Sequence, residues 1–159
     1  MLVRFLEGYL NNNSHTMHHY KIKPKIGIGD VKFNATIEEF ISVFGEANED
    51  EFIQDKSENF KSRILHFDDY GLSASFDEES GWKLTSIAIS ENDFHIDGHY
   101  FIGINKSSFL NKVEQLNFGE YEREVFTEED YTSTLFHFSN LHLTFWFENN
   151  ELMEIQWGI

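Results

Sequence analysis

An α+β fold is predicted: a tandem repeat of helix plus antiparallel strands, with the helices packed on one face of an antiparallel sheet. Three observations predict it. Apolar strand-like runs recur at a fixed offset, a helix signal precedes each set, and aromatic residues make up 16% of the chain, with Phe alone occurring 17 times. Aromatic side chains suit pleated, half-buried surfaces, so the bias favours sheet. At 159 residues the chain is long enough for one compact domain. Within it, 1–25 reads as an N-terminal extension and edge strand, 26–94 as a first αβ unit and 95–159 as a second.

The offset is 71 residues, from Ile64-Leu65-His66-Phe67 to Leu135-Phe136-His137-Phe138. At the same offset Leu72, Ala74, Phe76 and Asp77 meet Leu143, Phe145, Phe147 and Glu148. After a loop of different length, Leu84 and Ile87 meet Leu152 and Ile155. Each set reads as a strand, a tight turn, an alternating strand, an acidic hairpin and a closing strand. The hairpins are Asp77-Glu78-Glu79-Ser80-Gly81 and Glu148-Asn149-Asn150-Glu151, both rich in turn formers. Short connections imply antiparallel pairing.

A helix is expected before each set. Thr36 is a natural N-cap, Glu39 completes a capping box, and Ile37, Phe40, Ile41 and Phe44 share one face before Gly45. In the second set Ser108 is the expected cap, followed by Phe109, Val113 and Leu116, with Gly119 beyond. Leu72, Ala74 and Phe76, like Leu143, Phe145 and Phe147, then face the helices. Ser73 and Ser75, or His142, Thr144 and Trp146, take the opposite face. Lys21, Lys23 and Lys25 alternate around Pro24, as in a protected edge strand. Leu2, Phe5, Leu6 and Tyr9 have the spacing of a short amphipathic helix, and Glu7 argues against a signal peptide there. Either Met1 or Met17 could serve as the start.

Charge narrows the function. There are 28 acidic residues against 12 basic ones, a formal charge of −16. Nucleic-acid binding needs a basic footprint, and anionic membrane surfaces repel such a chain, so neither partner is expected. The field attracts a basic protein or a cation, although acidity also serves solubility. With no cysteine there is no thiolate site or disulfide, in keeping with a cytoplasmic location. No apolar run is long enough to span a bilayer as a helix.

Candidate chemistry is sparse. His95-Ile96-Asp97-Gly98-His99 has metal-like spacing, but its Asp-Gly reads better as a hairpin turn, and no second ligand cluster accompanies it. His15, His18 and His19 read as a mobile polar segment. His66 and His137 occupy matching places, which suggests a shared packing role, hydrogen-bonded to backbone. The carboxylate pairs Asp68-Asp69, Glu78-Glu79 and Glu128-Glu129-Asp130 fall in expected turns, where solvated charge is the default. Gly27-Ile28-Gly29-Asp30 is too short for a nucleotide-binding loop. No catalytic residue, metal site or cofactor is therefore assigned, and no enzyme activity is expected.

The acidic loops suit binding better. Glu49, Asp50, Glu51, Asp55 and Glu58 follow the first helix. Glu120, Tyr121, Glu122, Glu124, Glu128, Glu129 and Asp130 follow the second, with Tyr131 close by. Beside Trp146 on the free face, the two loops are expected to form one broad acidic patch with an aromatic anchor. Of these, Glu49, Asp50, Glu51, Asp55, Glu120, Tyr121, Glu122, Glu124, Glu128, Glu129, Asp130 and Trp146 are the candidate partner-binding residues.

Through Thr36–Gly45, Leu72–Asp77 and their counterparts, the layout over about 26–159 resembles the β-lactamase-inhibitor-protein-like fold. Small acidic chains of this kind also resemble immunity proteins of bacterial toxin systems, including contact-dependent inhibition. The resemblance implies an immunity protein that neutralises a basic toxin, such as a nuclease-type domain, by covering its active site. The absence of cysteine departs from the disulfide-bonded secreted inhibitor, and no contact residue transfers by position. A small-ligand or peptide-binding module using the aromatic sheet face, or an uncharacterised hydrolase, are the alternative readings.

Overall fold

The computed structural model describes residues 20–159. The helix expected around Leu2–Tyr9 and the histidines at 15, 18 and 19 lie outside the described residues. The long strands are β4 (Glu49–Asp55), β5 (Phe60–Phe67), β6 (Leu72–Asp77), β7 (Lys83–Ile89), β10 (Glu122–Thr127), β11 (Thr132–Phe138), β12 (Leu143–Glu148) and β13 (Glu151–Gly158). They form one antiparallel sheet in the order β10-β11-β12-β13-β7-β6-β5-β4. Two-residue strands make two smaller sheets. One is β1 (Ile22–Lys23), β2 (Gly27–Ile28) and β3 (Val31–Lys32); the other is β8 (His95–Ile96) and β9 (His99–Tyr100). The α-helices among the described residues are α1 (Ile37–Phe44) and α2 (Lys106–Gln115).

This corrects the α+β expectation. The described residues are mostly β, with 47% in strands and 19% helical, and a single eight-stranded sheet replaces the helix-plus-strand units. Two physical reasons account for the difference. The acidic segments read as loops after each helix are strands β4 and β10, which lengthen the sheet at both ends. The helices, of eight and ten residues, are too short to cover a face of eight strands. The middle of that face is covered instead by the small sheets, whose Ile22, Ile28, Val31 and Ile96 are buried. Trp157 of β13 points into the same region, where its buried indole N–H donates to the Gly27 carbonyl at 2.9 Å.

Local chemistry explains the segments. Thr36 caps α1 with a complete capping box: its hydroxyl accepts from Glu39 N–H at 3.1 Å and its own N–H donates to Glu39 at 3.0 Å. Gly45 ends α1 at φ 85°, but with ψ −170° it is not the expected left-handed helical residue. The second helix begins earlier than expected. Its cap is Asn105, whose side chain accepts from the N–H of Ser108, so Ser108 is the capped residue and not the cap. Asn is at least as good a cap as Ser, and capping from 105 adds a turn. A single helical turn at Asp68–Tyr70 ends on Gly71, and another at Ser139–Leu141 ends on His142; both end residues are left-handed. His142 therefore belongs to a turn, not to the sheet face expected for it.

Strand registers place the core. Phe67↔Leu72 and Leu65↔Ala74 in the first four strands match Phe138↔Leu143 and Phe136↔Phe145 in the last four. Each set carries a register shift at the corresponding place, Ser75/Phe76 and Trp146/Phe147. Residues opposite one another share a face. The fully buried Phe109 of α2 lies 4.8–5.2 Å, centroid to centroid, from Phe136, Phe145 and Phe147. Phe40 of α1 lies 5.3 Å from Phe67 and 5.9 Å from Phe76.

Thr134, on this buried face between Val125 and Phe147, is 0% exposed, and its hydroxyl has no hydrogen-bond partner among the described residues. An unsatisfied buried hydroxyl costs about 1–3 kcal/mol, which an isosteric methyl removes. Thr134→Val is expected to raise the unfolding free energy by about 1 kcal/mol in urea denaturation. A fall would mean that the hydroxyl is bonded in solution.

Candidate functional site

Among the described residues, the face of the large sheet away from the buried core is open. One row crosses all eight strands: Glu49, His66, Ser73, Ala88, Gln156, Thr144, His137 and Glu122. The two halves differ sharply along it and its neighbours. In the β4–β7 half the next row is Glu51, Ile64, Ser75 and Ser86. In the β10–β13 half the corresponding row is Glu124, Leu135, Trp146 and Glu154. Small hydroxyls on one side thus stand where an indole and a carboxylate stand on the other.

Phe126 of β10 shares this face and lies parallel to Trp146, with ring centroids 6.3 Å apart and an interplanar angle of 13°. Phe126 is 47% exposed, while Trp146 and Leu135 are half-buried. Glu124, Glu148 and Glu154 project from the same face around them. Arg123, the sole Lys or Arg of the β10–β13 half, points the other way, with its guanidinium 5.9 Å from the Phe136 ring centroid.

The two acidic groups do not form one patch. β4 and β10 are opposite edges of the sheet. Seven strand spacings put them roughly 33 Å apart along it. Only the second group neighbours Trp146. Their chemical states differ as well. Asp50 lies on the core side of β4, paired with Arg63 through Arg63 Nε at 3.2 Å and a second, shorter contact from Nη2. Glu51 accepts from His66 Nε2 at 3.0 Å. Asp55 accepts from the N–H and hydroxyl of Ser57 at 2.9 and 2.6 Å. By contrast, Glu120, Glu122, Glu124, Glu128, Glu129 and Asp130 make no side-chain hydrogen bond or ion pair with the described residues. Their charge is left for solvent or a partner.

Glu122 and Glu124 stand on the open face, and Glu128–Asp130 lie in the connection from β10 to β11. Glu120 and Tyr121 precede β10. The Tyr121 ring packs at 5.4 and 5.5 Å on Phe136 and Phe138, on the buried side of the sheet and away from Trp146. It borders a cleft of about 490 Å³ with Leu110, Val113, Glu114, Asn117 and Gly119. Phe126, Leu135 and Glu154 are site residues that the sequence reading missed. The signal for the first was present: Glu122, Glu124 and Phe126 alternate with Arg123, Val125 and Thr127, a period of two hidden by charge.

The histidines have side-chain partners, not the backbone ones expected. His66 Nδ1 is hydrogen-bonded to Ser73 Oγ and His137 Nδ1 to Thr144 Oγ1, each at 2.8 Å. At the hairpin between β8 and β9, Asp97 and Gly98 have positive φ of 47° and 82°, and Gly98 N–H donates to His95 Nδ1 at 3.0 Å. The His95–His99 segment is thus the two-residue turn its Asp-Gly pair suggests. No group of three or more potential metal ligands occurs among the described residues. No helix among them is long and apolar enough to cross a membrane.

The hydrogen bond and charge of Arg63 hold the Asp50 carboxyl below its ordinary value of 3.8, against a smaller opposing effect of burial. A lowered folded value means that the pair's contribution is complete above pH 3.8 and is lost as the pH falls through the folded value. Both side chains are more than a third exposed, so the contribution is below about 1 kcal/mol. Asp50→Asn is expected to flatten the stability profile between pH 4 and 2 slightly. It should leave partner binding unchanged, as measured by denaturation across that range and by affinity at neutral pH.

No protein-family model matches this sequence, and no curated protein matches it. Among solved structures the chain is similar to an extracellular protein containing an SCP domain from Bacillus anthracis str. Ames, at 9% identity and a TM-score of 0.40. That match covers 86% of this chain but 49% of the other, so the chain spans about half the length of that protein. It is also similar to a provisionally named β-lactamase inhibitor protein from Streptococcus mutans, at 15% identity and a TM-score of 0.32, covering 91% and 93% of the two chains. At these scores neither likeness carries an argument, and the functional case rests on the open face itself.

Proposed function

We propose that this chain is a cytoplasmic immunity protein that binds a cognate bacterial toxin, a basic nuclease-type domain, and neutralises it by covering its active site. The observation that carries the reading is the contrast between the halves of the open face. Around Trp146 and Phe126 the carboxylates of Glu122, Glu124, Glu148 and Glu154 have no cationic partner among the described residues, Glu154 accepting only from the neutral Gln156, whereas Asp50 is paired with Arg63 and Glu51 is held by His66. An aromatic centre ringed by uncompensated charge suits a protein interface. The field of a chain with net charge −16 speeds encounter with a basic target, and the desolvated rings set residence time. Glu128, Glu129 and Asp130 extend the same acidic edge; Glu120 and Tyr121 flank it.

Affinity capture from the native cell, followed by a protection assay, tests this. A basic protein should be retained, should dissociate as ionic strength rises, and should be toxic when expressed without this chain. If the retained protein is harmless, or if co-expression gives no protection, the immunity reading falls.

A further inference from the structure

Strands β4 and β10 occupy equivalent ends of the sheet, and among the described residues each pairs with one neighbour only. Every residue of β10 from Glu122 to Thr127 is exposed, with Val125 at 50% and Phe126 at 47%. A free strand edge presents unpaired backbone donors and acceptors and invites another strand; charge on the edge sets which strands are repelled. On β4 the corresponding open-face positions are Glu49, Glu51 and the half-buried Ile53; Glu51 accepts a hydrogen bond from His66, and the neighbouring Asp50 is paired with Arg63. On β10 Glu122 and Glu124 make no ion pair or side-chain hydrogen bond with the described residues; they stand two residues apart on one face, with Phe126 two residues further along. A second copy of this chain would set carboxylate against carboxylate there and is disfavoured.

We propose that β10 is a docking edge at which an extended basic segment of the partner adds antiparallel to the sheet. Resting on the protein-binding reading of the same face, the assignment specifies the segment. Opposite Phe126, Glu124 and Glu122 it carries, from its N-terminus, an apolar residue, then two Lys or Arg, each separated by one position. Backbone pairing along β10 supplies affinity, and the alternate side chains supply specificity. β4, with Glu51 held by His66 and the half-buried Ile53 in the place of the exposed Phe126, is not assigned such a strand.

The test uses the full chain and two synthetic peptides, TVTKTKT and its reversed sequence TKTKTVT, with amide hydrogen exchange read residue by residue. The forward peptide should slow exchange at alternate residues of β10, those whose N–H groups point away from β11, and leave β4 unchanged. The double variant Glu122→Lys with Glu124→Lys should weaken it roughly tenfold or more, and raised salt should weaken it as well. The reversed peptide should bind less tightly. Equal protection on β4, or binding that perturbs the Trp146 indole without slowing exchange on β10, overturns the proposal. Peptide pairing on β10 in a protein that protects no cell would remove the immunity reading and leave the edge assignment standing. Protection that survives the double variant would do the opposite.

Discussion

Phe109→Ala lowers the unfolding free energy by about 3–5 kcal/mol, at the top of the range for truncating a buried side chain. The ring is 0% exposed and sits within 4.8–6.4 Å of five other phenylalanine rings, Phe101, Phe136, Phe138, Phe145 and Phe147. Truncation removes the apolar burial and the edge-on ring contacts, and leaves a cavity that stiff neighbouring rings cannot close. A domain of this size holds about 5–15 kcal/mol in total, so the variant should be marginal at 37 °C. Urea denaturation followed by indole fluorescence measures it. Phe109→Leu should recover much of the loss by refilling the space; a Leu variant no better than Ala would show that ring geometry, not volume, holds α2 in place.

Trp146→Ala weakens partner binding by at least about 2 kcal/mol, some thirtyfold, while changing stability far less than Phe109→Ala. The indole is half-buried on the open face, stacked on the exposed Phe126, so its loss removes a contact surface more than a core element. The molecule supplies its own control. Ser75 occupies the corresponding place in the β4–β7 half, and Ser75→Ala should alter affinity by less than about 0.5 kcal/mol. Parallel titrations of the captured partner against both variants decide the point. Equal effects would mean that the partner does not distinguish the halves, and the contrast on which the functional proposal stands would lose its force.

Much of the local structure was legible in the residues. Thr36 and Glu39 announced their capping box. The alternation of Leu72, Ala74 and Phe76, and of Leu143, Phe145 and Phe147, marked the buried side of β6 and β12, with Trp146 opposite. The β8–β9 turn was evident from Asp97-Gly98. The acidic strands were not. Glu and Asp are depleted in strands as a class, so Glu49–Asp55 and Glu122–Thr127 read as loops. Their charge marks an edge strand, where it does not have to be buried and discourages unwanted pairing.

Sequence by itself determined the succession β5–β6–β7 and β11–β12–β13, the buried side of β6 and β12 and the sign of the molecule's field, because these follow from spacings of two to four residues and from simple counts. Only the tertiary structure decided that β13 pairs with β7, through Ile155↔Ile89 to Gly158↔Ser86. That pairing sends the acidic strands to opposite edges instead of gathering them. It also leaves the middle of the core face to the small sheets, while the fold engages some carboxylates with Arg63 and His66 and leaves others free. Pairing between segments some 70 residues apart depends on surfaces that exist only after each hairpin has formed, and no local pattern encodes it.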